Sequence, residues 1–443
     1  MATYDVGVIG SGPAGLAAAF AAKAQGLSVV IIEDYLWGGT CPNYGCDPKK
    51  ILLTAVESIE RQHLLTGRGL RGALTIDWPA LMAHKQAYVD AVQPRKTRGL
   101  DEAGIDRAFG RGQFVDAHTV ELAPTGERLT AKDWVIAVGQ RPRTLAFDGA
   151  ELTIDSEAFL NLAAMPTDVT FVGAGFVGME FATIAQAAGA KVRVVTRGTQ
   201  ALREFDQVLV SQAVDHLRDF GATFYFENEV VAVVREGDGF IVTLADGTTF
   251  KTELVVATAG RVGNADRLNL DGIGVAYNES GVLVDDYLRT NVANIYAIGD
   301  VAESPVPKIV PVGNHEGRYV ANLIAGQTTQ PIAYQTTPVV AFTAQRVAQT
   351  GVKMAEAEEL GYTVVDFDMS QVMPFYRLQD KARVRAALDA DGVFVGASVV
   401  AHEAEEVINY FVTAINERRT LAESQANLYA YPSLGSEFSG FYG

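Results

Sequence analysis

Residues 4–15 read Tyr4-Asp5-Val6-Gly7-Val8-Ile9-Gly10-Ser11-Gly12-Pro13-Ala14-Gly15, a short apolar run that ends in G-x-G-x-x-G. An Ala-rich, helix-favouring run follows to about Gly26, then Val29-Val30-Ile31-Ile32 and Glu33. Strand, glycine turn, helix, strand and acid in that order form the dinucleotide-binding fingerprint in the context it requires. The glycines let backbone approach a pyrophosphate, and the helix N-terminus stabilises its charge. Glu33 is placed to bind a ribose diol. Gly10, Gly12, Pro13, Ala14, Gly15 and Glu33 are therefore candidates for a first nucleotide site.

The same unit recurs downstream. Asp168-Val169-Thr170-Phe171-Val172 leads into Gly173-Ala174-Gly175-Phe176-Val177-Gly178, a helical run to Ala188, and the strand Val192 to Val195. Two such units predict an α/β chain with two Rossmann-like dinucleotide-binding domains. The second unit lacks the acid. Its strand ends at Thr196-Arg197, and Arg203 follows shortly after. Cations in place of the acid favour a 2′-phosphate, hence NADPH, over the plainer reading of a solvated basic turn.

Between the two units lies GGTCPNYGCDPKK, residues 38–50, with Cys41 and Cys46, the only two cysteines of 443 residues. Five steps of regular helix advance about 7.5 Å, beyond the usual Cα separation across a disulfide. Closing that bond needs an irregular segment, and Pro42 and Gly45 lie inside the ring. A small strained ring is easily reduced, which suits a catalytic pair better than a structural one.

With its flanks, GGTC-x-N-x-GC-x-P-x-K resembles the redox motif of the flavoprotein disulfide reductases, the class I pyridine nucleotide-disulfide oxidoreductases that include glutathione reductase, dihydrolipoamide dehydrogenase and mercuric reductase. Other segments resemble that family in order: Trp134 to Pro142 with Gly139, Leu254 to Arg261 with Gly260, and Ile295 to Asp300. The helix start at Pro311-Val312 and Glu316-Gly317 matches as well.

The resemblance implies a homodimeric FAD enzyme that takes hydride from NADPH. It implies an FAD-binding domain at 1–145 and 263–330, a nucleotide domain at 146–262, and an α+β dimer-interface domain at 331–443. Asp300, Gly39 and Thr40 would join the FAD site, with Phe176 as the lid over the ring. Arg197 and Arg203 would stand where glutathione reductase has paired arginines. Glu180 would pair with Lys49 or Lys50. Cys46 would face the flavin and Cys41 the acceptor.

The family's C-terminal segment, H-x-H-P-T-x-x-E, departs here. Residues 429–437 read Tyr429-Ala430-Tyr431-Pro432-Ser433-Leu434-Gly435-Ser436-Glu437. The catalytic histidine position is Tyr431, and Glu437 falls one residue late. A phenol with an ordinary pKa near 10 is a poor base at neutral pH, though it can donate a hydrogen bond. Asp47 takes a normally apolar position, and its carboxylate would disfavour a thiolate at Cys46. A helix N-terminus and a lysine would favour that thiolate.

The sequence leaves the acceptor open: one reading is a disulfide or another thiol-reactive oxidant, such as a hypohalous or hypothiocyanous species or a metal ion, and another is a reductase of metal ions, quinones or small oxidants. The alternative is carboxylase chemistry like that of 2-ketopropyl-coenzyme M carboxylase, which also replaces this histidine with an aromatic residue. A redox sensor is the non-enzymatic alternative.

Composition narrows the class. A formal charge of -17 disfavours nucleic acid and anionic membranes as partners. Two cysteines cannot staple a secreted chain of this length, which points to the cytoplasm. The first residues run into an apolar strand with no basic region ahead of it, unlike a signal peptide. The early apolar run Leu16 to Ala22 is too short to span a bilayer. No resident metal is expected, and His63 and His84 read as surface or packing histidines on helices Lys49 to His63 and Trp78 to about Leu100, the latter kinked at Pro94.

Overall fold

The computed structural model describes residues 3–439. The chain forms two compact units, each assembled from separate stretches of sequence. The first contains the described residues up to Ile51, Ala83–Arg143 and Gly260–Tyr334. Its sheet is built around β1 (Thr3–Ile9), which pairs in parallel with β2 (Val29–Glu33) and with the strand Glu127–Ile136. Asp106–Phe109 extends the parallel part beyond β2, and Ile295–Ala297 pairs in parallel with Glu127–Ile136. Thr119–Ala123 and Arg111–Phe114 complete the sheet as an antiparallel edge.

β2 explains why its sequence is uninterrupted Val and Ile. Val29 and Ile31 enter the core with α1 (Pro13–Ala24), while Val30 and Ile32 enter a second core on the opposite face with Phe114 and Trp134. Side chains alternate across a strand, so a strand covered on both faces must be apolar at every position. Seven of the twelve residues of α1 are alanine, and the helix packs closely against the helix Val310–Ile324.

The redox stretch follows β2 as a one-turn helix, α2 (Thr40–Tyr44), broken at Gly45 and continued by α3 (Cys46–Leu65). α3 starts three residues earlier than the sequence predicts. Pro48 falls in its first turn, where a missing N–H costs nothing. The same rule corrects the second helix. Instead of one helix kinked at Pro94, the chain makes α4 (Trp78–Asp90) and α5 (Val92–Glu102), with Pro94 in the first turn of α5.

The second unit contains Leu52–Met82, Thr144–Ala259 and the chain from Gln335 onward. Its parallel sheet has the order Thr223–Tyr225, Lys191–Val195, Asp168–Val172, Leu254–Ala257. Its five-stranded antiparallel sheet orders Val339–Ala341, Arg346–Gly351, Phe394–Ala401, Arg383–Leu388 and Thr363–Asp368. The amphipathic helix Ala404–Asn416 covers that sheet with Val407, Ile408 and Phe411. The architecture is the expected α/β fold, with two Rossmann-like units and an α+β region. Among the described residues no helix is long and apolar enough to cross a membrane.

Candidate active site

Both glycine turns carry the same division of labour. Gly10 has φ +104° and Gly173 φ +115°, a backbone that side chains rarely adopt. A Cβ at Gly15 would lie 2.0 Å from Gly10 O, and one at Gly178 2.2 Å from Gly173 O, so these third glycines let helix and turn close up. The middle glycines differ in kind. A Cβ at Gly12 or Gly175 would meet no heavy atom within 4 Å. Each of these residues also forms the N-cap of its helix and supplies no side-chain hydrogen bond to the first turn. That is the arrangement a pyrophosphate needs, and it fits a dinucleotide in each unit.

Around the first turn, Glu33 is buried and accepts from Ser11 on one oxygen and from the Asp34 and Tyr35 N–H groups on the other. Gly38 N–H in turn donates to Ser11 Oγ at 3.0 Å, which ties the start of the redox stretch to the turn. A Cβ at Gly39 would lie 2.5 Å from Gly12 Cα, so Thr40 follows directly from a backbone lying against the turn. At Gly139 a side chain would meet open space.

Asp300 lies in a short 3-10 turn after the strand Ile295–Ala297. Burial pushes its carboxyl up, opposed by the charges of Arg261 and Lys308. Lys308 Nζ donates to the backbone oxygens of Ser280 and Asp300 at 2.9 and 3.0 Å. Glu316 fixes the same turn: Gly299 N–H donates to Oε2 at 2.6 Å, and Tyr334 OH donates to Oε1 at 2.8 Å.

The two cysteines are brought together as thiols. A hydrogen bond between their side chains pushes Cys41 up and Cys46 down. Burial adds to the rise at Cys41, and the charges of Lys49 and Lys50 add to the fall at Cys46. Cys46 is the first residue of α3, where the helix dipole also favours a thiolate. Asp47 opposes it, as the sequence implies, but Asp47 also contacts the other cysteine. Cys41 Sγ donates to Asp47 Oδ1 at 3.6 Å, and Tyr88 OH donates to Oδ2 at 2.5 Å. Nothing in the sequence singles out Tyr88, which lies on α4 far from any motif; only the fold pairs it with Asp47.

In the second unit, Phe176 opens the helix Phe176–Ala187 beside Val177 and is half exposed. Glu180, four residues on, is buried, and its Oε1 accepts from Phe342 N–H at 2.9 Å. Arg197 and Arg203 extend from the turn after Lys191–Val195 with side chains 81% and 85% exposed. Their ion-pair contacts, Glu229 at 3.9 Å and Glu204 at 3.3 Å, are loose enough to give way to a ligand. Gly260 has φ +107° at the return to the first unit. Near the C-terminus Tyr431 is 69% exposed, and Ser436 Oγ donates to Glu437 Oε1 at 3.1 Å. Among the described residues no His, Cys, Asp and Glu cluster could hold a metal ion.

Comparison with known proteins places these features. Residues 4–317 match the model of the pyridine nucleotide-disulphide oxidoreductases, and residues 337–440 match that family's dimerisation domain. The chain is 32% identical to a glutathione reductase of Burkholderia cepacia over 442 residues, covering 98% of this chain and 97% of the relative. It is 29% identical to a dihydrolipoyl dehydrogenase of Halobacterium salinarum over 450 residues, covering 97% and 94%. It is 34% identical to a soluble pyridine nucleotide transhydrogenase of Mycobacterium tuberculosis over 359 residues, covering 77% and 76%. Because the matches span both glycine turns, the cysteine pair and the antiparallel sheet, the chain is an enzyme that uses FAD and a pyridine nucleotide, and it belongs to the pyridine nucleotide-disulphide oxidoreductase family.

Proposed function

We propose that this enzyme passes electrons from NADPH, through FAD and a redox-active Cys41–Cys46 pair, to a disulfide or another thiol-reactive acceptor. The single observation that carries the reading is geometric: the break at Gly45 brings Cys41 of α2 against Cys46 at the start of α3, and Cys41 Sγ lies within reach of the Asp47 carboxylate. In this reading Cys46 is the sulfur favoured as thiolate and Cys41 the one that keeps the proton. FAD, when bound, supplies the link that moves an electron pair from nicotinamide to the cysteine disulfide. The chain's own residues do the rest. Cys46 carries the stabilised thiolate, Lys49 and Lys50 support it electrostatically, and Cys41 attacks the acceptor.

Gly10, Gly12, Pro13, Ala14, Gly15, Glu33, Gly39, Thr40, Gly139, Gly260 and Asp300 form the FAD site in this reading. Gly173, Gly175, Phe176, Val177 and Gly178 form the nicotinamide nucleotide site, with Arg197 and Arg203 on the 2′-phosphate. Exposure and weak pairing of the two arginines support NADPH over NADH. Glu180 is assigned in this reading as the partner of Lys49 or Lys50, and we set the domain limits at residues 145, 262 and 330. The matched dimerisation domain supports a homodimer, in which Tyr431 and Glu437 reach toward the cysteine pair of the other subunit.

The test is an acceptor screen with purified holoenzyme and NADPH, covering alkyl and aryl disulfides, hypothiocyanite, quinones and Cu(II). Turnover of a disulfide or a thiol-reactive oxidant that disappears in Cys41→Ser supports the proposal. Equal turnover by the variant with every acceptor would contradict it.

A further inference from the structure

The proton on Cys41 needs a destination when that sulfur attacks. The C-terminal segment carries Tyr431, which is exposed, and Glu437, which accepts from Ser436 Oγ. Another carboxylate lies within hydrogen-bond reach of the sulfur. Asp47 Oδ1 accepts from Cys41 Sγ at 3.6 Å, while Oδ2 accepts from Tyr88 OH at 2.5 Å. Arg95 lies over the Tyr88 ring, 5.6 Å from its centroid. Lys49 and Lys50 act electrostatically on Cys46, and Cys46 acts on Cys41. Arg95, Tyr88, Asp47, Cys41 and Cys46 therefore form one continuous polar line within one unit of the chain.

We infer that Asp47, oriented by Tyr88, is the group that takes and returns the Cys41 proton, so that proton handling is carried within the same subunit as the cysteines. The inference rests on the reading of Cys41–Cys46 as the redox pair. The reduced pair begins as one thiol, Cys41, and one thiolate, Cys46. As Cys41 Sγ attacks a disulfide R–S–S–R′, its proton passes to Asp47, a mixed Cys41–S–S–R forms, and R′S⁻ leaves. R′S⁻ takes the proton from Asp47 and departs as R′SH. Cys46 thiolate then attacks Cys41 Sγ, closing the Cys41–Cys46 disulfide and releasing RS⁻. Two electrons move from the cysteine pair to the acceptor, and both charge and protons balance.

Asp47 touches a reacting atom and is catalytic in this scheme. Tyr88 is a positioning residue: by holding Oδ2 it leaves Oδ1 turned toward Cys41. The arrangement also explains why an acid occupies a position beside Cys46 where it opposes the thiolate. Its cost at Cys46 is offset by Cys41, Lys49 and Lys50.

The chain has only two cysteines, so Cys46→Ser leaves Cys41 as its single thiol. In that background the pH dependence of Cys41 alkylation by iodoacetamide reads the thiol directly, independent of turnover. Adding Asp47→Asn should move the alkylation midpoint down by about one unit or more, as expected on removing a nearby like charge. In the otherwise native holoenzyme, Asp47→Asn should slow alkyl-disulfide turnover roughly 10²-fold and remove the acid limb of the kcat/KM profile. Tyr88→Phe should lower kcat less and shift that limb without abolishing it. An unchanged alkylation midpoint together with native turnover and pH profile in Asp47→Asn would overturn the inference, even with Cys41→Ser inactive. If Cys41→Ser itself turned disulfides over normally, the cysteine reading beneath it would fall instead.

Discussion

Ser11 donates both its backbone N–H and its hydroxyl to one oxygen of Glu33, at 3.0 and 2.6 Å, joining the first glycine turn to the end of β2. The acid that the sequence assigns to a ribose diol is thus also the clamp that shapes the turn. Its other oxygen accepts two further N–H groups, from Asp34 and Tyr35. Glu33→Leu would leave the buried N–H and hydroxyl of Ser11 without their acceptor, at about 1–3 kcal/mol for each group left unsatisfied. We expect FAD affinity to fall at least about tenfold, which corresponds to 1.4 kcal/mol. Flavin retained per chain after gel filtration measures it, and native-like retention would contradict the role.

Arg197 and Arg203 are exposed and loosely paired, as side chains waiting for an anion would be. Charge-assisted contacts to a 2′-phosphate contribute about 1.5–3 kcal/mol each. Replacing both with Ala should raise the KM for NADPH by one to several powers of ten, on the order of 10²-fold or more. The KM for NADH should barely move. Steady-state kinetics with both nucleotides decide the point; equal use of the two by the native enzyme would count against it.

The Cys46 thiol is held below the ordinary thiol range by its hydrogen bond with Cys41 and by the charges of Lys49 and Lys50. A thiolate standing against oxidised flavin gives a long-wavelength absorbance band, and the band needs the charged form. A lowered pKa means the thiolate persists as pH falls past about 8.5, the ordinary cysteine value. It should be lost only at lower pH, as the medium passes the depressed value. A pH titration of the two-electron-reduced enzyme checks this, with Cys46→Ser as the variant lacking the band. A band that vanished near the ordinary thiol value would show that the tuning is absent.

Tyr431 takes the position where the family places a histidine. General acid help of that kind contributes typically about 10²–10⁴-fold. Acceptors whose leaving thiols have low pKa values need less of it. With Asp47 as the one group returning a proton to the leaving thiolate, the native enzyme should still favour aryl over alkyl disulfides. Tyr431→His should improve alkyl-disulfide turnover more than aryl, on the order of tenfold, with Glu437 or Ser436 orienting the ring. Paired kcat/KM measurements with the two acceptor types decide it. Equal gains for both would point to a general packing effect.

Much of this molecule can be read from its residues, for specific physical reasons. The two glycine turns are local devices, and the positive φ of Gly10 and the close approach of Gly15 to Gly10 O follow from the chain there alone. β2 is legible because burial on both faces demands an unbroken apolar run. Sequence alone misplaces the helix boundaries near Pro48 and Pro94 because proline reads as a break, although the first turn of a helix accepts it. Tyr88 was invisible for a different reason. Its meaning comes from the Asp47 carboxylate, forty-one positions away in sequence, and no periodicity or motif connects the two.

The central claim is that Cys41 and Cys46 exchange electrons with the nucleotide through the flavin. With only two cysteines in the chain, thiol counting has a single interpretation. The air-oxidised holoenzyme is denatured in the presence of a thiol reagent, before and after anaerobic incubation with excess NADPH. The account predicts no free thiols per chain before reduction and both cysteines free after it. Two thiols in both samples, with the flavin alone taking electrons from NADPH, would contradict it.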